Sequence, residues 1–313
     1  MPDKINDYPR IIFMGTPEFA VESLEAIIQA NYNVVAVVTA PDKPAGRGMQ
    51  ISETAVKKYA NAHRIPVLQP TKLKDPIFIN TLQSYHADLQ IVVAFRMLPE
   101  LVWNMPAMGT INLHGSLLPQ YRGAAPINRA IMNGEKETGV TTFKLQHEID
   151  TGNILLQKKI SLSDQTTAGE LHDSMKKIGA DLIVETIKLL IDGNIQEQPQ
   201  MLKSDVILHM APKIHSEDCV IHFNNPVETV HNQIRGLSPY PGAYTKLNDK
   251  TFKIYHSDKE FSRCNELPGT PVSDGKTYLK FACNDGYLIC KEVQLEGKKK
   301  IDIQSFLRGY RFH

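Results

Sequence analysis

The sequence predicts a doubly wound, mostly parallel α/β sheet followed by a smaller β-barrel domain. Two features carry that expectation. From residue 10 to about 190, short Val/Ile-rich runs alternate with helical stretches, the pattern of parallel strands joined by crossover helices. After residue 209 the texture changes to short β-rich runs punctuated by Gly, Asn and Asp. A chain of 313 residues is long enough for about two cores. We therefore expect a first domain over 1–190, a polar connector over 191–208 (NIQEQPQMLKSD at its centre) and a second domain over 209–313.

Element by element, RIIFM (10–14) is a strand ended by Gly15-Thr16-Pro17. EFAVESLEAIIQA (18–30) follows, with Phe19, Leu24, Ile27 and Ile28 near helical spacing. NVVAVVT (33–39), LQIVVAF (89–95), TINLH (110–114) and GVTTFKL (139–145) continue the strand series. Their unbroken Val/Ile content suits strands covered on both faces. A long helix is expected over 168–191, with Leu171, Met175, Ile178, Leu182, Ile183 and Leu189 at three- and four-residue steps and Gly193 placed to stop it. In the second domain GAYTKL, KTFKIYH, TYLKFAC and GYLICKEV read as strands.

Composition removes several classes of function. No apolar run reaches the roughly 18 residues of a membrane span, and MPDKINDYPR has no apolar core of the kind that directs secretion. Cys219, Cys264, Cys283 and Cys290 form no C-x-x-C pair and no zinc-finger spacing. They point to reduced thiols in a cytoplasmic protein and away from metal binding. The net charge of +1 is neutral on nucleic acid. Residues 209–313 hold 15 Lys/Arg against 12 Asp/Glu, a mild basic bias that a solvated face also explains.

Chemistry concentrates in INLHGSLLPQYRGAAP (111–126). In an open parallel sheet, ligands gather beyond the carboxyl ends of the strands. Asn112 and His114 lie at such an end, and a strand's two-residue period points both side chains the same way. A lone His there is most often a buried structural residue. A second feature changes the weighting: EIDTGNIL (148–155) sets Asp150 in a Thr-Gly turn just after the next strand. Alone, such an Asp is usually a turn residue or a cap. Together the three supply an amide donor, a tunable base and a charge partner, the parts needed to pass an acyl group between two amines. G-x-S-x-G, G-x-G-x-x-G and the P-loop pattern are absent. Direct attack by a substrate amine therefore fits better than a covalent enzyme intermediate.

INLHGSLLPQYRGAAPINRAI, DTGNIL, MGTPEFAV and PDKPAGRGM together resemble methionyl-tRNA formyltransferase, a resemblance that runs from about residue 10 to GKKKIDIQSFLRG near the end. It implies the formyltransferase variant of the Rossmann sheet with an OB-like C-terminal barrel. It implies formyl transfer from 10-formyltetrahydrofolate, without a metal, to the α-amino group of methionyl initiator tRNA, with Asn112, His114 and Asp150 as the catalytic trio. It also implies that Ser116, Leu117, Leu118 and Pro119 lie against the folate, the leucines as an apolar wall, and that the Leu118–Pro119 peptide is cis. Two stretches depart from the family pattern. Phe95-Arg96-Met97-Leu98-Pro99 replaces a Tyr/Phe-Gly-x-x-Leu-Pro run. It is similar to a segment bordering folate in glycinamide ribonucleotide formyltransferase, which puts Phe95 and Met97 at the pocket wall. Ser238-Pro239-Tyr240-Pro241-Gly242 replaces an Asn-Pro-Trp-Pro pattern.

The trio and Ser-Leu-Leu-Pro are shared by other folate-dependent formyltransferases and cannot name the acceptor. Glycinamide ribonucleotide formyltransferases generally end after the first domain. A sugar-nucleotide formyltransferase with the same donor is the main alternative, and a catalytically silent RNA-binding protein is a third. PDKPAGRGMQ (41–50) separates them: a Pro/Gly-rich basic loop whose Lys43 and Arg47 suit RNA phosphates. It matches the tRNA-contacting insertion of the resembled family, and the mildly basic second domain is the expected second tRNA contact. The protein is expected to act as a monomer in the cytoplasm, with no membrane partner.

Overall fold

The computed structural model describes residues 9–45, 50–201 and 207–310. They form two compact units that interleave along the chain. One holds the residues up to 123, 139–160 and 173–210; the other holds 124–138, 161–172 and the residues from 211 onward.

In chain order the first unit has β1 (Arg10–Gly15), α1 (Glu18–Gln29), β2 (Asn33–Val38), β3 (Lys43–Ala45), β4 (Gln50–Ser52), α2 (Ala55–Ala62), β5 (Val67–Leu68), α3 (Pro76–Ser84), β6 (Leu89–Val93), α4 (Glu100–Trp103), β7 (Thr110–His114) and β8 (Arg122–Gly123). After α5 (Pro126–Met132), which belongs to the second unit, come β9 (Glu137–Lys144), β10 (Ile154–Ser161) and α6 (Ala168–Ile191). The helices start where local chemistry allows. Thr54 caps α2 by accepting the Lys57 N–H, and Asp75 caps α3 with Pro76 in the first turn.

Among the described residues seven strands form the main sheet, in the order β10-β9-β7-β6-β1-β2-β5. β1 pairs in parallel with β2 and β6, β2 with β5, and β6 with β7. Ile11, Ile12, Phe13, Leu89 and Ile111 are fully or almost fully buried, which is why these runs do not alternate with polar residues.

One expectation needs correcting. GVTTFKL does not continue the parallel series: β9 runs antiparallel to β7, with Leu113 opposite Thr142 and His114 opposite Thr141. A parallel return needs a crossover packed on the sheet. Here α5 has only seven residues and packs on α7 (Val227–Gly236) of the second unit instead. The result is an antiparallel edge on an otherwise parallel sheet.

The second unit is the barrel-like domain expected from the sequence, in the form of an antiparallel half-barrel. After β11 (Met210–Ala211) and α7 its strands are β12 (Ala243–Leu247), β13 (Lys250–Phe261), β14 (Pro271–Ser273), β15 (Leu279–Ala282), β16 (Gly286–Leu295) and β17 (Ile301–Asp302), followed by α8 (Ile303–Gly309). The order is β12-β13-β16-β15-β14, with β17 also on β16. Phe252, Phe281, Leu288, Val293, Ile234 and Phe306 fill its core. All four cysteines are free thiols.

Candidate active site

The sheet reverses its direction of growth between β1 and β6. From β1 the chain builds outward through β2 to β5, then returns to place β6 and β7 on the other side. Such a switch point opens a crevice at the carboxyl ends of the strands. Register aligns those ends: Gly15 faces Val93, and Val93 faces Leu113. The turns beyond them are Gly15-Thr16-Pro17, the segment from Ala94 to Pro99, and the loop that follows His114.

On β7 the two-residue period separates function from packing. Leu113 points to α6, where a Cβ on Gly179 would lie 2.6 Å from a Leu113 methyl. Asn112 and His114 therefore share the opposite face. The Asn112 side chain is half-buried, and its amide has no hydrogen-bond partner among the described residues. His114 is buried. Its Nε2 lies 2.8 Å from the Tyr121 carbonyl oxygen, and Nδ1 lies 3.8 Å from Asp150 Oδ2. A carbonyl only accepts, so Nε2 carries the proton and Nδ1 is the basic nitrogen. The 3.8 Å gap is ion-pair distance, not a hydrogen bond.

Asp150 sits in a constrained loop. Its φ is +53, a left-handed conformation that Asp tolerates better than most residues. Gly152, two residues on, has no alternative, since a Cβ there would lie 1.6 Å from the Lys144 carbonyl oxygen. Asp150 Oδ2 accepts the Gly123 N–H at 2.9 Å, and Gly123 has φ +124, open to glycine almost alone. Gln200 donates to the Asp150 and Gly152 carbonyls and accepts from the Arg122 guanidinium. Burial pulls the basicity of Arg122 down, and the nearby Asp150 and Glu148 carboxylates push it back up.

The Ser116–Pro119 loop has a cis Leu118–Pro119 peptide, as expected. Thr141 on β9 holds it: its hydroxyl donates to the Ser116 carbonyl at 2.6 Å and accepts the Leu118 N–H at 3.2 Å. Gln157 donates to Thr141 Oγ1 and to the Leu118 carbonyl. Ser116 Oγ, wholly buried, donates to the Gln120 carbonyl at 2.6 Å, which leaves it no nucleophilic role. Of the two leucines, Leu118 turns inward and Leu117 is half-buried. Leu118 is 3% exposed, and Leu117 packs on Gly139, where a Cβ would come within 2.6 Å. Further apolar surface at this sheet end comes from Met97, 72% exposed. Met97 lines an open groove of about 630 Å³ with Leu73, Lys74, Arg96, Leu101 and His147. Phe95 packs partly into the core, and the Arg96 guanidinium, 5.7 Å from its ring, donates to the Pro70 and Thr71 carbonyls.

At the two described ends of PDKPAGRGMQ, β3 pairs antiparallel with β4, with Lys43 opposite Ser52. Lys43 is exposed; Arg47 lies outside the described residues. Asp42, just before β3, is tied to the first unit. Lys57 and Gln69 bind its carboxylate, and these bonds hold its pKa below the usual carboxylate value.

Sequence reasoning missed Tyr121, Thr141, Gln157, Arg122 and Gln200. Tyr121 and Arg122 lay inside the recognised YRG run. The others are far along the chain from what they hold, and no local pattern marks them.

Residues 9–187 match the family model for formyl transferase, and residues 213–311 match that for the formyl transferase C-terminal domain. The chain is 50% identical over 310 residues to the methionyl-tRNA formyltransferase of Parabacteroides distasonis, covering 96% of each protein. It is 49% identical over 307 residues to that of Bacteroides fragilis, covering 96% of this chain and 95% of that one. Among solved structures it resembles the sugar 3N-formyl transferase WlaRD with dTDP and 5-N-formyl-THF, at 22% identity, TM-score 0.65, 93% of this chain and 99% of that one. It also resembles an N-formyltransferase from Helicobacter canadensis with folinic acid and dTDP-3-aminofucose, at 21% identity, TM-score 0.67, 90% of this chain and 98% of that one. At that identity the likeness is one of fold.

Proposed function

The chain belongs to the formyl transferase family, and on that premise we propose that it moves a formyl group from 10-formyltetrahydrofolate to the α-amino group of methionyl initiator tRNA. It is a formyl-transferring enzyme of translation initiation, and as such it would work in the cytoplasm; we take it to act as a monomer. The reading is supported by one juxtaposition: Asn112 and His114 on one strand face, with Asp150 across from Nδ1.

The chemistry follows from what each group has free. As the amine adds to the formyl carbon, negative charge gathers on the formyl oxygen. The unpartnered amide of Asn112 donates to it, a contribution of about 10²–10³ in rate. His114 Nδ1 takes the proton that the attacking nitrogen must lose, and Asp150 favours the imidazolium that results. His114 then returns the proton to the leaving nitrogen of the donor, so one C–N bond forms, one breaks and the proton balance closes. The groove beside Met97 and Leu101 offers apolar surface, and Lys74 and Arg96 outnumber the one carboxylate that lines it, Glu100, which suits a donor with an aromatic body and carboxylates.

The sugar-nucleotide alternative rests on likenesses of 21–22%, against 49–50% for the methionyl-tRNA relatives. The deciding assay offers the purified protein 10-formyltetrahydrofolate with methionyl initiator tRNA, free methionine or an amino-sugar nucleotide. Formylation of methionyl-tRNA alone is expected. Preferential formylation of the sugar nucleotide would replace this reading.

A further inference from the structure

The stretch on either side of residues 202–206 was expected to be a polar connector, yet within the first unit it touches the supports of both His114 and Asp150. Gln200 is saturated. Its two amide protons go to the carbonyls of Asp150 at 2.9 Å and Gly152 at 2.8 Å. Its oxygen accepts Arg122 Nε at 3.1 Å and Nη2 at 2.7 Å. Every hydrogen-bonding position of the side chain is used. The next residue after Arg122 gives its N–H to Asp150 Oδ2, so Gln200, Arg122, Gly123 and Asp150 close a ring. The backbone beside Gln200 is stitched down as well: Gln198 and Ile154 exchange both main-chain bonds, and Glu197 accepts from Asn153 and pairs with Lys144.

Farther on, the Tyr121 N–H donates to the His209 carbonyl at 2.7 Å, and the Tyr121 and His209 rings stack at 5.8 Å. Gln120 donates to the Ile207 carbonyl and accepts the His209 N–H. Tyr121 is the residue whose carbonyl fixes the His114 tautomer.

We propose that Gln200 is a positioning residue for the reaction, holding Asp150 at its distance from His114, and that the described stretch over 197–200 is thereby part of the catalytic apparatus. This rests on the reading of Asn112, His114 and Asp150 as the catalytic trio. The reason is geometric. Asp150 meets Nδ1 across 3.8 Å with no direct hydrogen bond, so nothing between the two residues sets the gap. The gap is set from behind, through the backbone of a residue with φ +53 that would otherwise relax. Gln200 holds that backbone and, through Arg122, the loop whose Gly123 N–H orients the carboxylate.

The test compares Gln200→Leu, which removes every bond, with Gln200→Glu, which keeps the shape and the acceptor for Arg122 but has no donor. Each is made in the wild type and in Asp150→Asn. In the wild type, kcat should fall about 10–10²-fold for either variant, the cost of a misplaced catalytic group. KM for donor and acceptor should stay within about threefold. In the Asp150→Asn background the further loss should shrink to about twofold or less, since a group acting through Asp150 has nothing left to act on. Unchanged kcat, or an equal loss in both backgrounds, overturns the proposal and assigns Gln200 to general stability. A wild type that does not formylate methionyl-tRNA, or an Asp150→Asn enzyme with full turnover, strikes at the underlying reading instead and removes this role with it.

Discussion

The Nε2 of His114 lies 2.8 Å from the carbonyl oxygen of Tyr121. That bond fixes the tautomer and leaves Nδ1, facing Asp150, as the nitrogen that exchanges protons.

From this follow the costs of losing each member of the trio. Asn112→Ala should lower kcat by about 10²–10³ with little change in substrate binding, as loss of a transition-state donor. His114→Ala should cost at least about 10²-fold. Asp150→Asn should be severe too, because an amide cannot favour the imidazolium by charge. Steady-state kinetics on folded protein test each one; near-normal turnover removes that residue from its role.

Thr141 holds the Ser116–Pro119 loop from beneath, so Thr141→Val should act there. The substitution keeps the shape and deletes the hydroxyl, leaving the buried Leu118 N–H without its acceptor. A stability loss of about 1–3 kcal/mol is expected, along with a raised KM for the folate donor and a nearly constant KM for the acceptor. Urea unfolding and donor titration measure the two. Unchanged donor KM in a destabilised variant would confine Thr141 to stability.

His231 in the second unit carries a pH dependence of its own. Burial, reinforced by the Lys259 and Arg235 charges, holds its pKa below the ordinary value of 6.5, against the opposing effects of its bond to the Asp164 carbonyl and the Glu228 charge. As pH falls through about 6.5 the unfolded chain binds this proton and the folded one does not, so stability drops from there toward the folded-state pKa. His231→Gln removes the titration. Its unfolding midpoint should change less between pH 7.5 and pH 5, both round assay values chosen about the ordinary imidazole pKa, than that of the wild type. Equal changes would mean other groups control acid stability.

An RNA acceptor brings a line of phosphates, and each one neutralised adds to the salt dependence of binding. Lys43→Ala and Arg47→Ala should each weaken methionyl-tRNA binding and reduce its log–log salt slope by about 1. Folate binding should be unaffected. A flat salt response in the wild type, with neither variant differing from it, would count against tRNA as the acceptor.

The chain's own pattern determined what depends on neighbours in sequence. Val/Ile runs separated by 3.6-period stretches specify strands and helices, and TINLH places Asn112 and His114 on one face whatever surrounds them. The Gly of Asp-Thr-Gly likewise marks a backbone that no side chain can share. Tertiary structure decided the rest, because those contacts join residues far apart in the chain. β9 runs against β7 because its preceding helix packs in the other unit, and of the two leucines of Ser-Leu-Leu-Pro Leu118 is buried while Leu117 lies half-buried against Gly139. Gln200, 50 residues from Asp150, holds its loop through hydrogen bonds that have no periodicity to betray them. Local order leaves a repeating signature in sequence; the closing of a polar ring leaves one only in space.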